Sequence, residues 1–211
     1  GTTQGIYSIA HTAGENDKLH DLNLITDDFT YVLDIEPLLK YPDKLLFSSL
    51  RDLVLLDASN NAVKSIASFY GTYDIEKVPF ADDIYLLGHT AGIGAVKIQK
   101  QGNGGVNAKQ LPFLQGFEEN VRKMVFDKNN RLWVATAYNG IFVIDLNSDF
   151  TAKTIKKYDT ANGLPSNDNN MLSFTNDTLF VATRTGIMYF DNSANQLQPY
   201  NPLFNKPLFD T

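Results

Sequence analysis

Cysteine is absent from this sequence. That removes thiolate nucleophiles, disulfides and Cys-based zinc sites together, while saying little about compartment. Histidine is scarce, with three residues in 211, so few imidazoles are on hand for a metal centre. There is no apolar run of about eighteen residues, the length a membrane-spanning helix needs, and no signal peptide. Basic charge is short as well: 18 Lys and Arg stand against 24 Asp and Glu, a net charge of −6. A nucleic-acid binder needs a basic surface to displace counterions, so that class is excluded. Methionine is rare (3) where Tyr (10) and Phe (14) are plentiful, and flat aromatic side chains favour a pleated sheet over a helix. The opening Gly-Thr-Thr-Gln has no starter Met. It reads as a cut from a longer precursor, with Gly1 a scar of tag removal, and the expected unit is one domain over residues 2–211.

What is present is a repeat, the feature to look for before secondary structure. A short apolar strand ending in small residues recurs as Ile6-Tyr-Ser-Ile-Ala10, Leu45-Leu-Phe-Ser-Ser49, Ile84-Tyr-Leu-Leu-Gly88, Leu132-Trp-Val-Ala-Thr136 and Leu179-Phe-Val-Ala-Thr183. These begin near residues 6, 45, 84, 132 and 179, a spacing that suits a four-stranded propeller blade of about 40 to 50 residues. After a short turn come Gly92-Ile93, Gly140-Ile141 and Gly186-Ile187, with Asp52-Leu53 in that place in the second repeat. Glycine accepts the positive φ of a tight turn, and the apolar residue after it starts the next strand. Matching strands lie upstream at 35–39, 75–80, 121–126 and 171–174, and more polar ones downstream at 153–158 and 196–200.

Each unit therefore reads as strands a, b, c and d, with the recurring apolar motif as b. The expected fold is all-β: a β-propeller of about five four-stranded blades, either a closed five-bladed ring or an arc of a larger propeller. A β-sandwich is the competing reading, but its strand spacing need not be regular. The best helix candidate, 28–40, is interrupted by Pro37. The first repeat is irregular, lacking an upstream strand. The apolar stretch 202–209 is expected either to close the ring beside Ile6–Ala10 or to leave ends that two chains cover for each other as a homodimer.

The last two units carry more specific wording. Asn130-Arg-Leu-Trp-Val-Ala-Thr136, Asn139-Gly-Ile141, Tyr158-Asp159 and Asn162-Gly-Leu-Pro-Ser-Asn167 resemble the repeats of two-component regulator propellers, strongly over 119–192 and more weakly before. Ala135 and Ala182 stand where that family has Gly, and the Asn-Gly-Leu-Pro-Ser-Asn segment occurs once. The resemblance implies the extracytoplasmic sensor region of a hybrid histidine kinase of Bacteroidetes, periplasmic or at the cell surface. It implies a membrane-anchored precursor and an oligosaccharide, or its breakdown product, as ligand. Similar propellers occur in surface proteins of the type IX secretion system. The alternative is therefore a docking scaffold for other proteins, with a propeller glycosidase or lyase third. The scaffold does not dictate the role.

In a propeller the b–c and d–a turns gather at one end. They would bring Arg51, His89, Tyr138 and Arg184 to the channel, with Asn167 and Asp168 from the best d–a turn and His11 from the first. Such a set suits an anionic or polyhydroxy ligand, because Arg offers bidentate donors and Tyr a stacking face; solvated turn residues would look the same. Nothing resembles an assembled catalytic site: there is no Gly-x-Ser-x-Gly elbow, and carboxylate pairs have no readable separation. No metal and no cofactor are expected. His11 and His89 share the context His-Thr-Ala-Gly by repeat ancestry. Asp127-Lys-Asn-Asn130 and Asn167-Asp-Asn-Asn170 lack the twelve-residue calcium loop, and Gly102-Asn-Gly-Gly105 lacks the Lys-Ser/Thr of a phosphate loop. Trp133 is expected to pack between blades.

Overall fold

The computed structural model describes residues 5–9, 22–29, 31–102 and 105–200. β1 (Ile6–Ile9) and β2 (Leu22–Thr26) form a two-stranded sheet. Four four-stranded sheets follow, each strand pairing antiparallel with its neighbour in sequence. They are β3 (Asp34–Pro37), β4 (Lys44–Ser48), β5 (Asp52–Asp57) and β6 (Ala62–Ser68); then β7 (Thr72–Lys77), β8 (Ile84–His89), β9 (Gly92–Lys100) and β10 (Val106–Leu111). After them come β11 (Val121–Phe126), β12 (Leu132–Thr136), β13 (Ile141–Leu146) and β14 (Ala152–Tyr158); and β15 (Met171–Thr175), β16 (Thr178–Thr183), β17 (Gly186–Asp191) and β18 (Gln196–Pro199). This is a five-bladed β-propeller. Among the described residues the one helical turn is Thr160–Asn162, and the candidate helix at 28–40 holds β3 instead.

The first sheet corrects one reading of the sequence. Ile6–Ile9 is not a b strand. Its antiparallel partner is β2, which leads into the next sheet, as a d strand does. Gly5 just before it has φ +134°, matching Gly92 (+130°), Gly140 (+81°) and Gly186 (+145°), which precede or open the c strands β9, β13 and β17. A Cβ at Gly5 would meet the Thr26 carbonyl at 2.4 Å, as one at Gly140 would meet that of Tyr158 at 2.5 Å. The motif Ile-Tyr-Ser-Ile has the composition of either strand; only the partner and the backbone at Gly5 distinguish them.

In the sheets with a neighbour on each side, the b and c strands are apolar on both faces because both faces are covered. Leu86, Leu87, Val134 and Ile144 are fully or almost fully buried. The cores lie between successive sheets. Ile6 packs with Phe47, Val54 and Leu56; Leu46 and Leu53 pack with Ile75 and Leu87. Leu86 and Ile93 pack with Met124 and Val134, and Trp133 and Ile141 with Leu172 and Val181. Each fully buried side chain of this size is worth about 1.5–3 kcal/mol of transfer free energy, so the sheets hold one another by face contact.

Polar staples fix the inner strands. The Asp34 carboxylate accepts the Ile75 N–H at 2.8 Å, Asp74 accepts that of Met124 at 2.7 Å, and Glu76 that of Phe126 at 3.3 Å. In each case a side chain of one innermost strand bonds the backbone of the next blade's innermost strand. Lys123 pairs with Asp74 from the facing blade.

Candidate functional site

The b–c turns and d–a connections meet at one end of the molecule, joined by backbone hydrogen bonds. The Phe69 N–H donates to the Arg51 carbonyl (3.0 Å), Leu114 to Ile93 (2.9 Å), Gly140 to Asn167 (2.8 Å) and Tyr200 to Ile187 (2.8 Å). The small polar residue ending each b strand closes its turn. Thr136 Oγ1 donates to the Gly140 carbonyl at 2.9 Å and accepts the Asn139 N–H at 3.0 Å. Thr183 does the same with Gly186 and Thr185, and Ser49 with both groups of Asp52.

His89 holds the corresponding place in the β8–β9 turn, and its Nδ1 accepts the Ala91 N–H at 3.3 Å. An imidazole that accepts at Nδ1 carries its neutral-form proton on Nε2. Nε2 is buried without a partner among the described residues. The ring lies edge-on to Phe113 (centroids 4.6 Å apart) and tilted to Phe69. Burial pushes its pKa below the usual imidazole range. His89 is therefore a neutral turn-closing residue behind the surface.

The remaining predicted residues fall into two groups. Arg184 and Asp168 are brought together, with an N–O distance of 2.9 Å. The Ser166 hydroxyl, and after it the Arg184 charge, holds Asp168 below the usual carboxylate range, against some desolvation. Asn167 is occupied by the loop: its Oδ1 accepts the Thr160 N–H at 3.0 Å and its carbonyl that of Gly140. With the Asp159–Asn162 capping box and the left-handed Gly163, this makes Asn-Gly-Leu-Pro-Ser-Asn a clamp that ties the β14–β15 loop to the β12–β13 turn. Its Leu164 is buried beneath. Arg51 lines a groove of about 290 Å³ with Asp28, Phe29, Tyr31 and Asp52. Tyr138 stands 70 % exposed in the β12–β13 turn. His11 lies outside the described residues.

Three aromatic residues of this end escape a sequence reading centred on the repeat. Tyr31 (52 % exposed), Tyr70 (69 %) and Phe113 (43 %) sit in the three d–a connections that precede β3, β7 and β11. Those loops differ in length and wording, so no register marked them; an apolar ring in a polar connection was the available signal. Phe113 borders a second groove of about 540 Å³ with Thr90, Gln115, Phe117 and Glu118.

Other candidates are accounted for by packing. Asp127 accepts the N–H of Asn129 and of Arg131, Arg131 Nε at 2.7 Å and Trp133 Nε1 at 3.0 Å. Its oxygens are thus taken up within its own hairpin. Burial opposes ionisation, but these donors outweigh it and keep the carboxyl below its usual range. Trp133 is buried against Tyr158 and Phe190. Among the described residues no three His, Asp or Glu are grouped to hold a metal ion, and no helix is long and apolar enough to cross a membrane.

No family model and no curated protein matches the chain. Solved structures do. It is similar to PorZ, an essential bacterial surface component of the type IX secretion system of Porphyromonas gingivalis, with TM-score 0.60 and 11 % identity over 93 % of this chain and 26 % of that one. It is similar to the Pan2 WD40 domain of Neurospora crassa, with TM-score 0.59 and 14 % identity over 93 % and 59 %. It is similar to Sqt1 of Chaetomium thermophilum, with TM-score 0.57 and 14 % identity over 82 % and 49 %. The propeller fold is common ground. At such identities these likenesses concern the fold alone, and the chain spans less than two thirds of each of these proteins.

Proposed function

We propose that this propeller is the ligand-binding part of an extracytoplasmic sensor of the two-component regulator kind, non-enzymatic, and that it recognises an oligosaccharide or its breakdown product. One observation carries the reading. Tyr31, Tyr70, Phe113 and Tyr138 are exposed at one end of the molecule, the first three on d–a connections and Tyr138 on a b–c turn. Rings held on a rigid sheet scaffold offer stacking area at little entropic cost, and the C–H face of a sugar ring suits them. The wording over 119–192 supports the regulator assignment, and the exposed aromatic end supports binding in preference to chemistry. The end is poorly suited to an anion: Arg184 is spent on Asp168, His89 is neutral and buried, and Arg51 shares its groove with Asp28 and Asp52.

Calorimetry of the full chain against a panel of oligosaccharide fragments tests the reading. Binding in the micromolar range that Tyr70→Ala and Tyr138→Ala each weaken would support it. Silence across a broad panel would defeat it. A second reading, a surface propeller that docks other proteins, draws on the same rings, since exposed aromatics anchor protein interfaces too. Capture of a protein ligand, lost in those two variants, would favour it.

A further inference from the structure

We propose that the groove between the β8–β9 turn and the β10–β11 connection takes a protonated amino sugar; this deepens the oligosaccharide reading and rests on it. The groove, about 540 Å³, falls in the size range of small-ligand sites, about 300–1,000 Å³. Its wall is the Phe113 ring. That ring is exposed on one side and held from behind by His89 and by Phe69, whose centroid lies 6.3 Å away at an interplanar angle of 60°. Its orientation is therefore set before any ligand arrives. Gly94 beneath it leaves the rings room to meet, since a Cβ there would come within 3.2 Å of Phe69 and 3.5 Å of Phe113.

Charge selects the ligand. Glu118 is the one carboxylate lining the groove; His89 is the only other titratable side chain of the lining, and its burial disfavours the charged imidazolium. Glu118 is exposed and has no hydrogen bond or ion pair among the described residues, whereas Glu119 beside it accepts from Asn139 at 2.7 Å. At five other rings among the described residues the protein supplies its own cation, as Arg122 does over Tyr73 at 3.9 Å. Phe113 has no such partner among the described residues. An aromatic face and an unpaired carboxylate in one groove form a receptor for a cation on a flat, partly apolar ring. The ring stacks, the ammonium pairs with Glu118 and lies in the field of the aromatic face, and the hydroxyls meet Gln115. The Gln115 amide already donates to the Phe113 carbonyl at 3.2 Å, which positions it.

The test is calorimetry at pH 6 with glucosamine oligomers, their N-acetylated counterparts and neutral glucose oligomers of equal length. The expected result is a preference of about five- to tenfold for the free-amine oligomer. Glu118→Gln should erase that preference, Glu118→Lys should reverse it, and Phe113→Ala should weaken every member of the series. Glu118 is on the surface, so both of its variants fold. Equal binding of the three series, indifferent to Glu118→Gln, would overturn the inference and leave the oligosaccharide reading standing. Binding of an arginine-rich peptide in the groove with no saccharide bound would overturn both and support protein docking. No binding of any of them would overturn both.

Discussion

Two kinds of buried carboxylate act on stability in opposite directions: Asp74 and Glu76 on the inner strand β7, and Asp127 in the β11–β12 hairpin. Burial, and after it the charge of Asp74, pushes Glu76 up to about 7; the Phe126 N–H only partly offsets this. Asp74 is pushed up by burial to about 6 in spite of Lys123. A carboxyl with a raised folded-state pKa holds its proton in the native state after the unfolded chain has lost it. Its contribution is therefore fully present below the unfolded value and is lost as pH rises through the folded one. For Glu76 that window runs from its ordinary 4.5 to about 7. We expect Glu76→Gln, which keeps the acceptor for Phe126, to raise the melting temperature at pH 8 by several degrees, about 1–3 kcal/mol. At pH 4 it should have almost no effect. A gain of equal size at both pH values would show that charge at this site is not the cause. Asp127 has the opposite sign. Its folded pKa lies below 3.8, so its contribution is present above 3.8 and fades as the solution is acidified through the folded value. Asp127→Ala leaves the Trp133 Nε1–H and Arg131 without their acceptor. It should cost about 2–4 kcal/mol at pH 7 in urea denaturation; a cost under about 0.5 kcal/mol would mean that other groups replace it.

At the scale of the elements, each of the four four-stranded sheets is a meander locked at one end by a residue at the close of strand b. Thr136, Thr183 and Ser49 do this with a hydroxyl and His89 with a ring nitrogen. We expect Thr136→Val, close to isosteric but without the hydroxyl, to cost about 1–2 kcal/mol because two turn hydrogen bonds, one buried and one part-buried, go with it. Gly140→Ala should cost more. At φ +81° a side chain is strained, and the new Cβ would lie 2.5 Å from the Tyr158 carbonyl. If Gly140→Ala proved the milder of the two by thermal melting, the turn would be softer than its geometry implies. Tyr138 sits in the same β12–β13 turn, so under the proposed function loosening that turn should also weaken ligand binding.

For the whole molecule, the question is what covers the two ends of the row of sheets. Ile75, Met124 and Leu172 hold one register position on the inner strands, opposite Leu87, Val134 and Val181, and each is buried against the preceding sheet. Ile35, opposite Phe47, holds that position in β3 yet is 42 % exposed. The two strands described for the first sheet are its outer pair, c and d, so among the described residues the inner strand of the next blade has no cover. At the far side, Met171 is 50 % exposed, and Phe180 and Tyr189 both meet Tyr200 edge-on. The sequence expectation that 202–209 closes the ring, like the homodimer alternative, lies outside the described residues. It remains a proposal with a direct measurement. Deleting residues 202–211 should lower the melting temperature by at least about 4 °C, corresponding to more than about 1 kcal/mol at this size. An unchanged melting curve with a monomeric elution volume would refute both forms of the idea.

Sequence by itself determined the blade. The alternation of apolar b and c strands with polar d strands, the Gly-Ile starts and the Asx-rich hairpins are local patterns, and local patterns survive without coordinates. It also marked Trp133 as interior and the b–c turns as the end to watch. Whether Ile6–Ile9 is strand b or c was open to composition, because both are short and apolar; pairing with β2 and the backbone at Gly5 decided it. The candidate site divided along the same line. Residue type made His89, Arg184 and Asn167 look available, but availability depends on neighbours far off in sequence. Phe113 covers His89 from 24 residues away, Asp168 occupies Arg184 across a loop, and the clamp consumes Asn167. Tyr31, Tyr70 and Phe113 come to the same end as the b–c turns only because the propeller returns every d–a connection to that side. That is long-range geometry, set by how sheets stack, and no window of the sequence contains it.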